Sequence, residues 1–158
     1  MTTEHTVVII PFSSDLKEPI KTLNIEWLSK YFKIEPKDEL VLSNPQEEII
    51  DKGGMIFYAK YNEVIVGTVS LLKINDTDFE LSKMAVTTGV QGLGIGRKLM
   101  EHCMKAAEEN QIKKIIIYSN RRLIPAISLY EKFGFEEVPL DDCIYERADI
   151  KMEKLILQ

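Results

Sequence analysis

The chain reads as an α/β (α+β) protein: a mixed, mostly antiparallel central sheet of about seven strands, flanked by about four helices. Three observations predict this. Between Met55 and Val86, three β-rich runs follow one another through short polar turns, the pattern of an antiparallel meander. From Leu81 to Tyr118 come an apolar strand, a glycine-rich turn, an amphipathic helix and a second apolar strand, which implies a parallel crossover. A proline and a glycine then bracket a further helix ahead of the closing strands.

Val7 to Phe12 is short and β-branched and forms a first strand. Ser14 or Asp15 can cap a helix whose apolar residues, Leu16, Ile20, Leu23, Trp27, Leu28 and Tyr31, recur with helical period as far as Phe32. Trp27 and Tyr31 have two readings: aromatic packing on the core face of that helix, or the lining of an acceptor pocket. Pro36 and Pro45 punctuate a second, short helical region, and its charges, Lys37 to Glu39 and Glu47 to Lys52, read as a solvated face. Gly53-Gly54 ends it. Met55 to Tyr61 and Val64 to Ile74 form a hairpin about the Asn62-Glu63 turn, and Asn75 to Asp78 turns the chain into Phe79 to Val86.

Ile95, Leu99, Cys103, Ala106 and Ala107 share one face of the next helix, which ends near Asn110. Ile115 to Tyr118 is apolar on both faces, as a central buried strand requires. Pro125 suits the first turn of a helix and Gly134 its C′ position, which brackets Ala126 to Phe133. Phe135 to Val138 and Ile144 to Leu155 close the sheet, although the last run alternates only in part and leaves its register open. With no internal repeat, low-complexity tract or linker, residues 1–158 are expected to form a single domain.

A chain of 158 residues can bury about two thirds of its unfolded surface without a staple. Cys103 and Cys143 lack metal-ligand spacing and are too few for a disulfide framework, so a reducing cytoplasm is the expected location. Cys103 falls on an apolar helix stripe; Cys143, near a loop, is a conceivable acyl-carrying nucleophile. The N-terminus lacks the basic residues and apolar length of an export signal, and no run approaches the roughly 20 apolar residues of a membrane span. No membrane partner is expected. A net charge of −5 argues against nucleic acid as a partner and mildly suits a cationic acceptor. His5 and His102 lack the spacing for metal or triad chemistry, so no metal is expected.

The informative segment is Gln91-Gly92-Leu93-Gly94-Ile95-Gly96-Arg97-Lys98. Glycines allow a tight turn with positive φ, and the open N–H groups and positive dipole end of the following helix then favour a phosphate or pyrophosphate. Arg97 and Lys98 stand in the first helical turn, where basic side chains oppose the dipole, which again suggests a bound anion. A dinucleotide fingerprint needs a third glycine where Arg97 stands, counted from Gly92, and an acidic residue where Ser119 and Asn120 follow the next strand. A nucleotide P-loop needs Gly-Lys-Ser or Gly-Lys-Thr, which the chain lacks.

The segment is similar instead to the acetyl-CoA loop of the GNAT superfamily of N-acetyltransferases, Q/R-x-x-G-x-G/A, with Gln91, Gly94 and Gly96 in place. Leu81 to Val86 resembles the strand before that loop, and Ala126 to Phe135 resembles the family's second cofactor motif, A-x-x-L-Y-x-x-x-G-F. Two motifs in the right order cover about the second half of the chain. The resemblance implies a GNAT-like domain, acetyl-CoA as donor and a small-molecule or peptide primary amine as acceptor. It also implies that Met84, Ala85 and Val86 pair with the pantetheine through their backbone, a backbone N–H near Met84 or Ala85 polarising the thioester carbonyl. Gln91, Gly92, Leu93, Gly94, Ile95 and Gly96 would hold the pyrophosphate, with Arg97 auxiliary and Ala126 a further contact.

Tyr130 occupies the family's general-acid position; the alternative is a buried aromatic on the Ile127, Tyr130, Phe133 face. Glu80, six residues before Val86, matches the position of a catalytic glutamate in several family members, and its alternative is a strand carboxylate facing solvent or a lysine. The family's asparagine three residues before the motif alanine is replaced by Leu123, so Asn120 would have to reach the pantetheine from a longer loop. Arg121 and Arg122 either contact a ribose phosphate or are solvated. A non-catalytic acyl-CoA sensor needs the cradle but neither Tyr130 nor a base, and a nucleotide binder would prefer ATP or NAD. The last strands of family members often mediate dimers, which makes a homodimer the assembly to test for.

Overall fold

The structure, a computed structural model, describes residues 6–90, 92–141 and 145–156. The elements run β1 (Val7–Pro11), α1 (Pro19–Tyr31), α2 (Pro36–Ser43), β2 (Met55–Tyr61), β3 (Val64–Lys73), β4 (Asp78–Val86), α3 (Ile95–Glu109), β5 (Lys114–Ser119), α4 (Ile124–Lys132), β6 (Glu136–Val138) and β7 (Ile150–Leu155). One sheet of order β1-β2-β3-β4-β5-β7-β6 is antiparallel throughout except for the parallel pair β4 and β5.

The meander forms as its turns demand. Asn62 and Glu63 both take positive φ, 51° and 68°, so the twist of this two-residue turn matches that of the β2–β3 hairpin. Asn75 closes the next turn, its Oδ1 accepting from the N–H groups of Thr77 and Asp78. The amphipathic stripe of α3, including Ile95, Leu99, Cys103 and Ala107, buries against Val69, Leu71, Phe79 and Ile115 on one face of the sheet. Gly67 allows this close approach, since a Cβ there would lie 3.1 Å from Ile95. α1 and α2 cover the other face, with Ile20, Leu28, Val41 and Leu42 packed on Ile56 and Tyr58. Each such side chain contributes about 1.5–3 kcal/mol of burial.

Three expectations need correction. α1 begins at Pro19, not near Leu16; Ser14–Leu16 forms a separate 3-10 turn. Proline has no N–H to satisfy and a preset φ, which favours it in the first turn. The charges beginning at Lys37 are not uniformly solvated, because Asp38 is 0% exposed. The final strand starts at Ile150 instead of Ile144, since Tyr145 to Asp149 is pinned by groups off the sheet. Asn120 donates to the Arg147 carbonyl at 2.7 Å, and the Arg121 N–H donates to Asp149 at 2.8 Å. Cys143 and Ile144, like His5 and Gln91, lie outside the described residues. Among the described residues, no helix is long and apolar enough to cross a membrane.

Two irregularities in β4 position the site. Its pairing with β5 covers only Asp78–Glu80 against Lys114–Ile116, after which β4 continues along β3 and β5 along β7. The two strands therefore part in mid-sheet. In addition, Ala85 pairs with Thr68 and Ser82 with Ser70, so β4 holds one residue more than β3 over this stretch, a bulge at Lys83-Met84. Lys83 has φ of 54° there.

Candidate active site

The gap between β4 and β5 opens into a cleft of about 270 Å³. Its lining combines β4 from Glu80 to Val86, the β5 end from Ile117 to Asn120, the C-terminal half of α1, Tyr130 of α4 and Tyr145 to Ala148. A second hollow adjoins it at Val86 and Leu129 and is bordered by Gly92, Gly94, Ile95, Gly96, Pro125 and Ser128. The hollow at the strand gap and the hollow at the glycine turn therefore share a wall at Val86 and Leu129.

That turn has the geometry of an anion cradle. Gly89, Gly92 and Gly94 take φ of 93°, 89° and 71°, and a Cβ on any of them would meet open space. Internal packing therefore does not require these glycines, whereas their backbone conformation does. Gly94 is the N-cap of α3, no side chain caps that terminus, and its first turn carries no acid. Several N–H groups are left to a ligand. Arg97 gives its Nε to Glu101 at 3.1 Å, one turn along α3. Leu93 is an exposed residue of the loop, and Ala126 lines the cleft.

At the opposite end, Glu80 is 6% exposed, and its Oε2 accepts a hydrogen bond from the Tyr145 hydroxyl at 3.0 Å. Burial raises its pKa above the ordinary carboxylate value; the Tyr145 hydrogen bond and the nearby Lys83 charge oppose that rise without cancelling it. The carboxylate thus faces neither solvent nor a direct lysine pair. Tyr130 also borders the cleft, and burial pushes its phenol up to about 12, so it is protonated at neutral pH. Trp27 and Tyr31 stand on the cleft wall with ring centroids 5.6 Å apart; Tyr31 is 47% exposed, so it belongs to the lining more than to the core.

Beneath Tyr145 lies an ion cluster that the sequence pattern does not announce. Lys83 reaches Asp38 at 2.8 Å, and Arg147 holds Asp38 at 2.7 and 2.9 Å and Glu35 at 2.8 Å. Burial alone would raise the Asp38 pKa, but Arg147 and Lys83 bring it down to about 2. Lys83 and Glu80 are three residues apart, which in a regular strand places them on opposite faces. The bulge brings both to the α1 and α2 side. Asn24 fastens the bulge, donating to the Lys83 carbonyl at 3.1 Å. Two signals were available in the sequence: Asn24 is a polar residue on an apolar helix stripe, and Glu35-x-x-Asp38 has capping-box spacing, which the structure forms.

Asn120 lines the cleft, but its amide is engaged by the Arg147 carbonyl and the Arg122 N–H. Arg121 pairs bidentately with Glu137, and Arg122 stacks on Phe32 at 4.8 Å. Cys103 is a buried thiol and His102 packs edge-on against Phe57, so both are structural.

Residues 20–135 match the family model described as acetyltransferase (GNAT) family. The chain is 30% identical over 107 residues to the probable N-acetyltransferase san of Drosophila melanogaster, a match covering 65% of this chain and 58% of that protein. It is 27% identical over 113 residues to the uncharacterized N-acetyltransferase YvbK of Bacillus subtilis, covering 70% of this chain and 73% of that one. Among solved structures, a GNAT-family acetyltransferase from Staphylococcus aureus superposes with a TM-score of 0.86 at 24% identity, over 96% of this chain and 100% of that chain. A GNAT-family acetyltransferase from Elizabethkingia anophelis with acetyl-CoA bound gives 0.72 at 22% identity, over 94% and 97%. The split parallel pair, the left-handed glycine turn at the α3 terminus and a family match spanning both agree, and the chain belongs to the GNAT family of acetyltransferases.

Proposed function

We propose that the chain transfers the acetyl group of acetyl-CoA to a primary amine by direct attack. One observation carries this reading: two hollows that share Val86 and Leu129 in their linings lie between an uncapped, acid-free helix terminus and the buried carboxylate and phenol where β4 and β5 part. Bound acetyl-CoA would supply an acetyl thioester, an acyl group activated for attack. The residues present fit it. Gly92 to Gly96 offer N–H groups for its pyrophosphate, the β4 edge that β5 leaves unpaired offers backbone groups for the pantetheine, and the bulge leaves Lys83 and Met84, next to Ala85, outside the regular β3 register. Glu80 takes the proton of the incoming ammonium, directly or through water, and Tyr130 gives its proton to the departing thiolate. The names of two curated relatives, each an N-acetyltransferase, support nitrogen as the acceptor atom.

A reducing cytoplasm fits the free Cys103 thiol, and a homodimer through the last strands would use the β6 edge of the sheet. Thermal unfolding with acetyl-CoA, CoA, ATP and NAD at equal concentration tests the cofactor. Ligand at about 100 times its Kd adds about 2.7 kcal/mol, a rise of about 5–10 °C for a domain of this size. The rise is expected with the CoA species only; a rise with ATP or NAD alone would overturn the assignment.

A further inference from the structure

Tyr145 lies in a turn ahead of β7, outside the sheet, yet its hydroxyl is placed on Glu80 at 3.0 Å. The turn's own backbone bond, from the Ala148 N–H to the Tyr145 carbonyl, is long at 3.3 Å. Groups on two other elements hold the turn more closely. On one side, the N-terminus of α2 grips it: Glu35 accepts from the Glu146 N–H at 3.2 Å and from Arg147 at 2.8 Å, and Asp38 takes the Arg147 guanidinium at 2.7 and 2.9 Å. On the other, the end of β5 does so. Asn120 donates to the Arg147 carbonyl at 2.7 Å, and the Ser119 carbonyl accepts from the Asp149 N–H at 2.9 Å.

Arg147 is thus bound from both sides, by its side chain to α2 and by its carbonyl to Asn120. Its guanidinium also lies 5.0 Å from the centre of the Tyr145 ring, with the Lys83 and Lys37 ammonium groups at 5.2 and 5.4 Å from the same ring. Charged and titratable groups act on Glu80 from several elements: Lys83 on its own strand, Lys37 on α2 and Tyr145 ahead of β7. α1 brings Glu26 and Lys30, β5 brings Tyr118 and α4 brings Tyr130 to the same cleft. The Tyr145 hydrogen bond differs from the charges in being steep in geometry, so it depends on how firmly the turn is held. Burial makes the carboxylate sensitive to its loss.

Resting on the reading of Glu80 as the base of amine acetylation, we infer that Arg147 and Asn120 are positioning residues, which set the Tyr145 hydroxyl on Glu80 by holding the turn between α2 and β5. Asn120 thereby has a role that requires no contact with the cofactor.

Arg147→Met keeps an unbranched side chain but loses the guanidinium fork, and Asn120→Ala removes a neutral donor, so a change of charge cannot explain its effect. Glu80 is followed through the carboxyl signal of carbon-13-labelled glutamate as pH is varied, and is identified by its loss in Glu80→Gln; no turnover is needed. Both variants should raise the Glu80 midpoint by about one pH unit, as Tyr145→Phe should, and move it no further when combined with Tyr145→Phe. The acid limb of kcat/KM, read by thiol release from acetyl-CoA, should move with it. Asn120→Ala leaves the Asp38 ion pairs whole and carries the test where Arg147→Met does not fold. For either residue, a midpoint that stays or falls, or a rise that persists in full without the Tyr145 hydroxyl, would overturn its role, whatever the loss of stability. The shared rise with no thiol release from any amine would sink the transfer reading and leave the positioning intact; thiol release with an unmoved midpoint would do the reverse.

Discussion

The Tyr145 hydroxyl donates to Glu80 Oε2 at 3.0 Å, joining the segment before β7 to the middle of β4 inside the cleft. A hydrogen bond given to a carboxylate stabilises its charged form, so Tyr145 holds the Glu80 pKa below the value that burial alone would set. Tyr145→Phe removes the donor and should move the acid limb of the kcat/KM profile to higher pH. The acceptor must meet a deprotonated Glu80, so activity at the acid end falls. An unmoved limb with full activity would remove Tyr145 from the tuning of the site.

Glu80→Gln keeps shape and burial but cannot accept a proton. The rise of kcat/KM with pH should flatten, with a loss of about 10²–10⁴-fold where wild type is fully active. A variant with the wild-type profile would remove Glu80 from the mechanism.

Tyr130→Phe deletes the one acidic proton that α4 brings to the cleft. Turnover should fall while CoA affinity, measured by calorimetry, stays nearly constant, because the cradle lies on another element. Full turnover in this variant would refute the acid role.

Asp38 bridges Lys83, whose side chain is 2% exposed, and Arg147. Asp38→Asn leaves both cations short of a counter-charge and should cost about 3–5 kcal/mol in urea unfolding. The pH sign follows from a folded-state pKa of about 2 against an ordinary 3.8: the stability from this carboxylate is fully present above about pH 4 and is lost as pH falls through about 2. The variant should lack this portion of the wild-type acid transition.

Gly94→Ala places a Cβ at φ of 71° with nothing of the protein within 4 Å. Left-handed strain should cost about 1–2 kcal/mol of stability. The added methyl would also stand in the cradle, so acetyl-CoA should bind more weakly than that strain explains. Unchanged affinity would separate the turn from ligand binding.

Local chemistry made much of this molecule legible in the sequence. Asn62-Glu63, Pro125 with Gly134, and the glycine turn each encode backbone geometry in a few adjacent residues, and each appears where its chemistry requires. Tyr130 is singled out by motif position and Glu80 by its place on the strand six residues before Val86, and both line the same cleft. Asp38 reads as solvated in its local sequence because its burial depends on Lys83 and Arg147, 45 and 109 residues away. Lys83 hid for a related reason: strand periodicity places it with Phe79 and Leu81, and only the bulge turns it toward α2. Tyr145 sits in a run that alternates partly like a strand, and nothing local says that a carboxylate on β4 claims its hydroxyl.

Amine-dependent release of CoA thiol tests the central claim most directly, with the acetylated amine quantified by mass spectrometry in the same reaction. The account predicts thiol and acetylated amine in equal amounts, both abolished together by omitting the amine and both reduced in Glu80→Gln. Tight acetyl-CoA binding with no amine-dependent thiol release from any primary amine would contradict it and make the protein an acyl-CoA-binding module.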